Sequence, residues 1–360
     1  MVSDRKRNCM AVFSKAIKET VFYRDDMMLY YDGQSIMYTL EKLIFPDPTK
    51  ASDTVIIEGS KVSDGLNSFQ HIYFQGKECT DRVQQAHLSD IRKIDRDIMR
   101  KDRSAMQFVD VATSMQALTN GRDRFTIFAN GKIFPNRPDL ERLDVLKMKD
   151  GKIMIPGLVK CVKLIEEPRG RNNASPAIVV DSLKVAFHAK EKLIDKGIDF
   201  FLDVNNASYH ERETFATMIK GLGCHRIHTN RPRKVEIHGV ARDDAMKKFE
   251  ITLDNELKRS MSVMEYFQYK YKIDLKYPLA PLVMSRERGS IHIYPMEVLE
   301  VLPMQRVTIS QVNKSFSECF IFNCAVPPGV RQKNIAEQCT MHDLFNPNQP
   351  FLKAAGLSII

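Results

Sequence analysis

No apolar run in the 360 residues approaches the ~20 that a membrane-spanning helix requires. The charged start MVSDRKRNC has no apolar stretch behind it, so no secretory leader is expected. There is no C-x-x-C pair. The seven cysteines are odd in number and scattered, which fits a reducing intracellular compartment better than a disulfide framework. Tryptophan is absent, which excludes nothing. Carboxylates nowhere gather into a cluster that would hold catalytic metals. The adjacent Asp25 and Asp26 read as a solvated turn rather than an acid/base pair, because nothing else converges there.

What is present is size and positive charge. A chain of this length can build two or three domains with real cores. Its 54 Lys+Arg against 45 Asp+Glu leave a net charge of +9, which favours an anionic partner, nucleic acid ahead of membrane. The first hundred residues read as a small α+β unit. Cys9 to Lys18 has a helical pattern, and strands are expected at 27–31, 35–40, 54–57 and 69–74, with a turn at Asp32-Gly33. Ser104 to Leu118 reads as one amphipathic helix, ended by Asn120-Gly121. Arg124–Phe128, Asn130-Gly131 and Lys132–Phe134 read as strand, turn and strand. Further strands are expected at 152–155 and 158–165 on either side of Pro156-Gly157, then a polar loop over 166–175. Cys224–His228 and Lys234–Val240 read as paired strands, and Pro327-Pro328-Gly329 as the end of a helix.

The most informative stretch is 262–306. On a helix, Tyr266, Lys270 and, less closely, Phe267 and Tyr271 fall near one another. A lysine between phenol groups can clamp a phosphate, since charged acceptors make the stronger hydrogen bonds. Aromatics at this spacing also serve as core. Phe267 and Val263 suit the core while Tyr266, Lys270 and Tyr271 face a groove, and the sequence does not separate the two roles. Cys224, His225 and His228 raise the question of a metal. On a strand Cys224 and His228 share one face and His225 takes the other, so the four convergent ligands of a tetrahedral site are not assembled and neither metal nor cofactor is expected.

Taken in order, Tyr266-Phe267-x-x-Lys270-Tyr271, Leu275-Lys276-Tyr277-Pro278, Pro281, Ile291-His-Ile-Tyr294-Pro295, Glu297-Val298-Leu299 and Gln305-Arg306 resemble the second half of a PAZ domain, the Argonaute module that holds the 3′ end of a small guide RNA. Leu183 to His188 resembles the entry into that domain. Leu29-Tyr-Tyr-Asp32-Gly33 with Tyr38-Thr39-Leu40 resembles the Argonaute N domain, in a divergent or truncated form. The resemblance implies an α+β multidomain chain: N domain 1–100, linker 1 at 101–182, PAZ domain 183–305 and linker 2 at 306–360. The PAZ domain would be an OB-like β-barrel with an inserted αβ/β-hairpin module.

By motif position, the resemblance places His228, Arg233, Phe249, Tyr266, Lys270, Tyr271 and Tyr294 at the RNA 3′ end. Phe249 would stack on the terminal base, and Tyr294 stands where an aliphatic residue usually packs on the terminal sugar. Val235 stands where the family usually has a tyrosine. Phe320 and Ile321 match a linker 2 pair that presses on the guide's seed bases, and simple burial explains them equally well. The implied function is small-RNA-guided gene silencing. The partners would be a single-stranded guide (siRNA, miRNA or similar), a guide–target duplex and other silencing-complex proteins, in the cytoplasm, RNA granules or nucleus. The family's MID and PIWI domains have no counterpart here, so the chain is not expected to cut RNA. The other reading is a protein-interaction scaffold with a decayed PAZ pocket.

Overall fold

The structure is a computed structural model. It describes residues 9, 12–14, 16–20, 23–33, 36–40, 52–58, 69–75, 104–119, 124–128, 131–136, 146–148, 151–166, 174–229, 233–252, 258–287, 289–312, 314–344, 346 and 348–357, with 52–58, 69–75 and some strand ends as backbone alone. Most of the turn expected at Asn230-Arg231-Pro232-Arg233, between the paired strands, and most of the loop read over 166–175 lie outside them. The chain is α+β and multidomain. It forms two compact units, one of residues 1–137, 157–183 and 327–360, the other of residues 138–156 and 184–326.

In the first unit, β1 (Leu29–Tyr31) and β2 (Met37–Thr39) pair antiparallel, Tyr30 opposite Tyr38. The turn between them uses Gly33 at φ 75°, and the Asp32 carboxylate accepts the Ile36 N–H at 3.1 Å, so the Asp-Gly signal is spent as its chemistry predicts. β3 (Ser52–Glu58) and β4 (Phe69–Gln75) form a second antiparallel pair.

The single helix expected over 104–118 is two: α1 (Ser104–Ala112) and α2 (Met115–Thr119). The break has a polar cause. The Thr113 and Ser114 hydroxyls turn back onto the carbonyls of Val109 and Asp110 at 2.8 Å each. The buried Lys160 ammonium donates to the Asp110 carbonyl at 2.7 Å and to the Thr113 hydroxyl at 2.7 Å. Side-chain competition for backbone acceptors interrupts a helix in this way.

β5 (Phe125–Phe128) and β6 (Lys132–Pro135) form the expected hairpin. Pro156-Gly157 does not divide two strands, however. β8 (Lys152–Glu166) runs through it, after β7 (Leu146–Met148) has paired with its first residues. At Gly157 a Cβ would come within 2.4 Å of the Phe134 ring, so glycine serves close packing there rather than a turn. β9 (Ala174–His188) follows.

The proline-rich signal at 327–329 follows the end of a helix (Lys314–Cys324), as read, and Pro328 in addition opens the next. It stands in the first turn of α7 (Pro328–Met341), where a missing N–H costs nothing. α8 (Pro350–Ala354) starts likewise and brings Leu352 and Ala355 into one core with Tyr30, Phe108, Met115 and Phe125. The ends of the sequence therefore share a core.

The second unit is built on an antiparallel sheet in the order β15-β14-β11-β10-β16: Ser290–Tyr294, Val283–Glu287, Lys234–Val240, Gly223–Arg226 and Leu299–Val301. Helices α3 (Leu193–Phe200) and α4 (Tyr209–Ile219) contribute Leu193, Phe215 and Ile219 to its core, which also holds Cys224, Val235, Ile237 and Phe267. Between β11 and β14 the chain inserts a hairpin, β12 (Lys248–Thr252) with β13 (Lys258–Ser262), and then α5 (Val263–Tyr271). This is the hairpin-and-helix insertion expected of the domain. α6 (Lys314–Cys324) closes the unit.

Candidate nucleic-acid interface

α5 starts where it does because Ser262 and Glu265 form a reciprocal cap. The Ser262 hydroxyl accepts the Glu265 N–H at 3.1 Å, and the Glu265 carboxylate accepts the Ser262 N–H at 2.7 Å. These bonds hold the Glu265 carboxyl below its ordinary range. The helix ends at Lys272 in the left-handed conformation. With both ends fixed, Phe267 enters the core, Tyr266 and Tyr271 are half-buried, and Lys270 is exposed.

Two side chains of the motifs quoted for the resemblance work as staples for this region. Glu297 accepts the N–H groups of Lys276 and Tyr277 at 2.9 and 2.8 Å. Gln305 accepts the Gly223 N–H at 2.7 Å and donates to the Gly223 and Leu302 carbonyls at 2.8 and 2.7 Å. Both give loop and strand-end backbone groups a fixed partner.

Around α5 the rings form one connected cluster. His228 stands edge-on to Tyr271 at 4.8 Å and to Phe267 at 5.3 Å, and lies 6.3 Å from Tyr294. Tyr266 contacts Tyr271 at 6.0 Å and Phe249 at 5.7 Å. The hairpin delivers Phe249, which is 37% exposed and so presents a ring to incoming material. The Lys270 ammonium lies 5.4 Å from the Tyr266 ring centroid and 5.9 Å from that of Tyr271.

Six of the seven residues read for the RNA 3′ end thus come together: His228, Phe249, Tyr266, Lys270, Tyr271 and Tyr294. Arg233 is exposed just before β11, and it has no ring contact among the described residues. Val235 is 2% exposed and belongs to the core, so it offers the cluster no polar group. The apolar pair read at Phe320 and Ile321 divides. Phe320 stacks on the buried Phe316 at 6.0 Å, while Ile321 and its neighbour Phe322 are 67% and 82% exposed.

Sequence reasoning missed Arg226. Its Nη1 donates to the Tyr294 hydroxyl at 3.2 Å, and its guanidinium carbon lies 5.9 Å from the Tyr294 ring centroid. The available signal was alternation: two residues beyond the buried Cys224, Arg226 shares its face of β10.

Electrostatically the cluster is cationic without depending on histidine. Burial holds His228 below its ordinary value, and the Arg226 charge pushes the same way. Burial raises the Tyr271 phenol, the neighbouring Tyr266 phenol and the hydrogen bond Tyr271 donates to it raise it further, and Lys270 and Arg226 oppose the rise. At neutral pH the permanent charges are therefore Lys270 and Arg226, set among neutral rings. Cys224, on the core side, has its thiol pushed up to about 12 by burial. No group of three or more metal-ligating side chains occurs among the described residues.

The PAZ domain family matches residues 198–319, the segment that carries every member of this cluster. Over nearly the whole chain there is a second likeness: 32% identity to Argonaute protein wago-1 of Caenorhabditis elegans, across 93% of this chain and 36% of that protein. The likeness is to part of an Argonaute. Argonaute protein wago-4 of the same organism is 31% identical across 100% of this chain and 38% of its own length. The chain therefore spans somewhat over a third of these Argonaute relatives. In fold it is similar to a Kluyveromyces polysporus Argonaute solved with a guide RNA, with a TM-score of 0.51 at 14% identity, covering 99% of this chain and 38% of that one.

Proposed function

We propose that this chain is a component of small-RNA-guided gene silencing and that its PAZ domain holds the 3′ end of a single-stranded guide RNA. The carrying observation is the connected cluster of His228, Phe249, Tyr266, Phe267, Tyr271 and Tyr294, flanked by Lys270 and Arg226. Neutral rings stack on bases of any identity, and fixed cations take backbone phosphates, so recognition is independent of sequence. Phe249 is the exposed platform for the terminal base. Tyr266, Lys270 and Tyr271 take the adjoining backbone. In this reading the chain acts by reversible capture and performs no cleavage of its own. The solved Argonaute of similar fold was bound to a guide RNA, and a further relative, 37% identical over 106 residues, is named Nuclear RNAi defective-3 protein, which supports the same pathway class.

The experiment is a fluorescence-anisotropy titration of the full chain with a labelled single-stranded RNA, at two salt concentrations. The same RNA circularised, and Tyr271→Ala protein, run beside it. Binding that needs a free end and weakens in the variant is the expected result. Binding indifferent to both, yet steeply salt-dependent, would reduce the site to a basic surface. No binding would leave the protein-interaction scaffold as the better reading.

A further inference from the structure

Arg226 is a charged residue on a face that β10 otherwise commits to the core. Cys224, two residues earlier, is fully buried, and Arg226 itself is half-buried. Its Nη1 is used by the Tyr294 hydroxyl, but its Nε is buried and makes no hydrogen bond. No carboxylate pairs with it among the described residues. A guanidinium enclosed this way keeps its full charge and a forked set of donors, because it does not deprotonate in a protein. Leaving a buried donor unpaired is costly, so the arrangement is best satisfied by an acceptor that arrives from outside.

The surroundings define that acceptor. His228 is held towards its neutral form beside the guanidinium, and Tyr271 and Tyr294 are phenols. No carboxylate among the described residues offsets the guanidinium, so an anion is favoured over a neutral group. The planar fork suits the oxygens of a phosphate. Lys270 supplies a second charge on Tyr266 and Tyr271, and both cations act on Tyr271. Tyr271 therefore lies within reach of two cations carried by different elements, α5 and β10.

We propose that Arg226, steadied by Tyr294, is a second phosphate-binding element of the ring pocket. It engages a phosphate at the 3′ end of the RNA distinct from the one taken by Lys270, in the role that motif position alone would give to Arg233. This rests on the RNA-end reading above. The phosphate has two possible sources, the last internucleotide linkage or a terminal 3′-phosphate.

The test uses the full chain with Arg226→Gln, Arg226→Lys and Tyr294→Phe, and three forms of one short RNA. These carry a 3′-hydroxyl, a 3′-phosphate, or a neutral methylphosphonate at the last linkage. Arg226→Gln should weaken binding about tenfold, and the slope of log K against log salt should shrink by about 0.7. Arg226→Lys should recover part of the loss, and Tyr294→Phe should fall between. If the methylphosphonate costs the wild type about tenfold and Arg226→Gln almost nothing, the last linkage is the ligand. A loss confined to the 3′-phosphate RNA identifies the terminal group instead. A purely structural Arg226 would move the melting temperature without altering the salt slope. Should Arg226→Gln fail to fold, wild-type binding that ignores both phosphate changes overturns the proposal by itself. Undiminished binding by a folded Arg226→Gln, with the slope unchanged, sinks this inference alone. Absence of RNA binding by the wild type sinks the parent reading, and this one with it.

Discussion

The two units each gather aromatic rings at similar spacings, yet the two clusters are built differently. In the first unit Tyr30 packs edge-on against Phe108 at 5.0 Å and Phe351 at 6.1 Å, and Tyr31 stacks on Phe13 at 4.1 Å. Tyr30 is fully buried, and its hydroxyl donates to the Phe351 carbonyl at 2.8 Å. In the second unit Phe249 is open to solvent, and Lys270 and Arg226 lie over ring faces. Ring spacing alone distinguishes nothing. A core closes its phenols on backbone, whereas a binding surface leaves an edge open and puts cations on it.

The largest effect should therefore fall on the closed cluster. Tyr30→Ala removes a fully buried ring and should cost about 3–5 kcal/mol of stability, the usual range for truncating a buried aromatic. Tyr271→Ala, at a half-buried position, should cost less stability and more RNA affinity. Urea unfolding beside RNA titration separates the two quantities. Equal stability losses would erase the contrast between the clusters.

Next comes acid sensitivity. His342 in the first unit is 3% exposed, rests on Phe125 at 4.3 Å, and has both ring nitrogens buried without hydrogen bonds. Burial, assisted by the Arg124 charge, lowers its pKa to about 4. In the second unit His188 is lowered to about 4 as well, by burial first and Lys196 second. A histidine depressed in the folded state binds protons more readily when unfolded. Stability is therefore full above pH 6.5, falls as the pH drops from there towards 4, and then levels. Each group contributes at most about 3 kcal/mol to that loss. His342→Phe should flatten the acid limb of the first unit and leave the RNA site unaffected. An unaltered pH profile would show that His342 gains a proton partner on acidification.

The candidate cluster was more legible than the fold around it, for physical reasons that particular residues show. Tyr266, Lys270 and Tyr271 sit on one capped helix, so their proximity follows from helical geometry alone. Arg226 was missed because its meaning is tertiary: it needs Tyr294, 68 residues later, to complete it. The split between α1 and α2 begins with the Thr113 and Ser114 hydroxyls, but the Lys160 ammonium that joins them lies 47 residues from Thr113, beyond any local pattern. Pro156-Gly157 carries turn chemistry, but the Phe134 ring claims the glycine for packing. In each case a long-range contact completes what the local pattern alone does not show.

On the open cluster, Phe249→Ala should cost about 1–3 kcal/mol in RNA binding, the worth of one stacked base, with little effect on stability because the ring is already 37% exposed. An RNA ending in an abasic residue should bind the wild type about as weakly as the intact RNA binds Phe249→Ala. An additive loss would place the terminal base elsewhere in the pocket.

The smallest change sharpens the comparison most. Tyr30→Phe deletes only the hydroxyl that donates to the Phe351 carbonyl and should cost about 1 kcal/mol of stability, with RNA affinity unchanged. Tyr271→Phe is its counterpart. It removes a phenol hydrogen-bonded to Tyr266 and placed near both cations. If that hydroxyl is part of the phosphate clamp, the second variant should lose affinity and keep its stability, the reverse of the first. The same chemical deletion would then report packing in one unit and recognition in the other. Two variants that behaved alike would mean that the rings of the second unit, however exposed, are core.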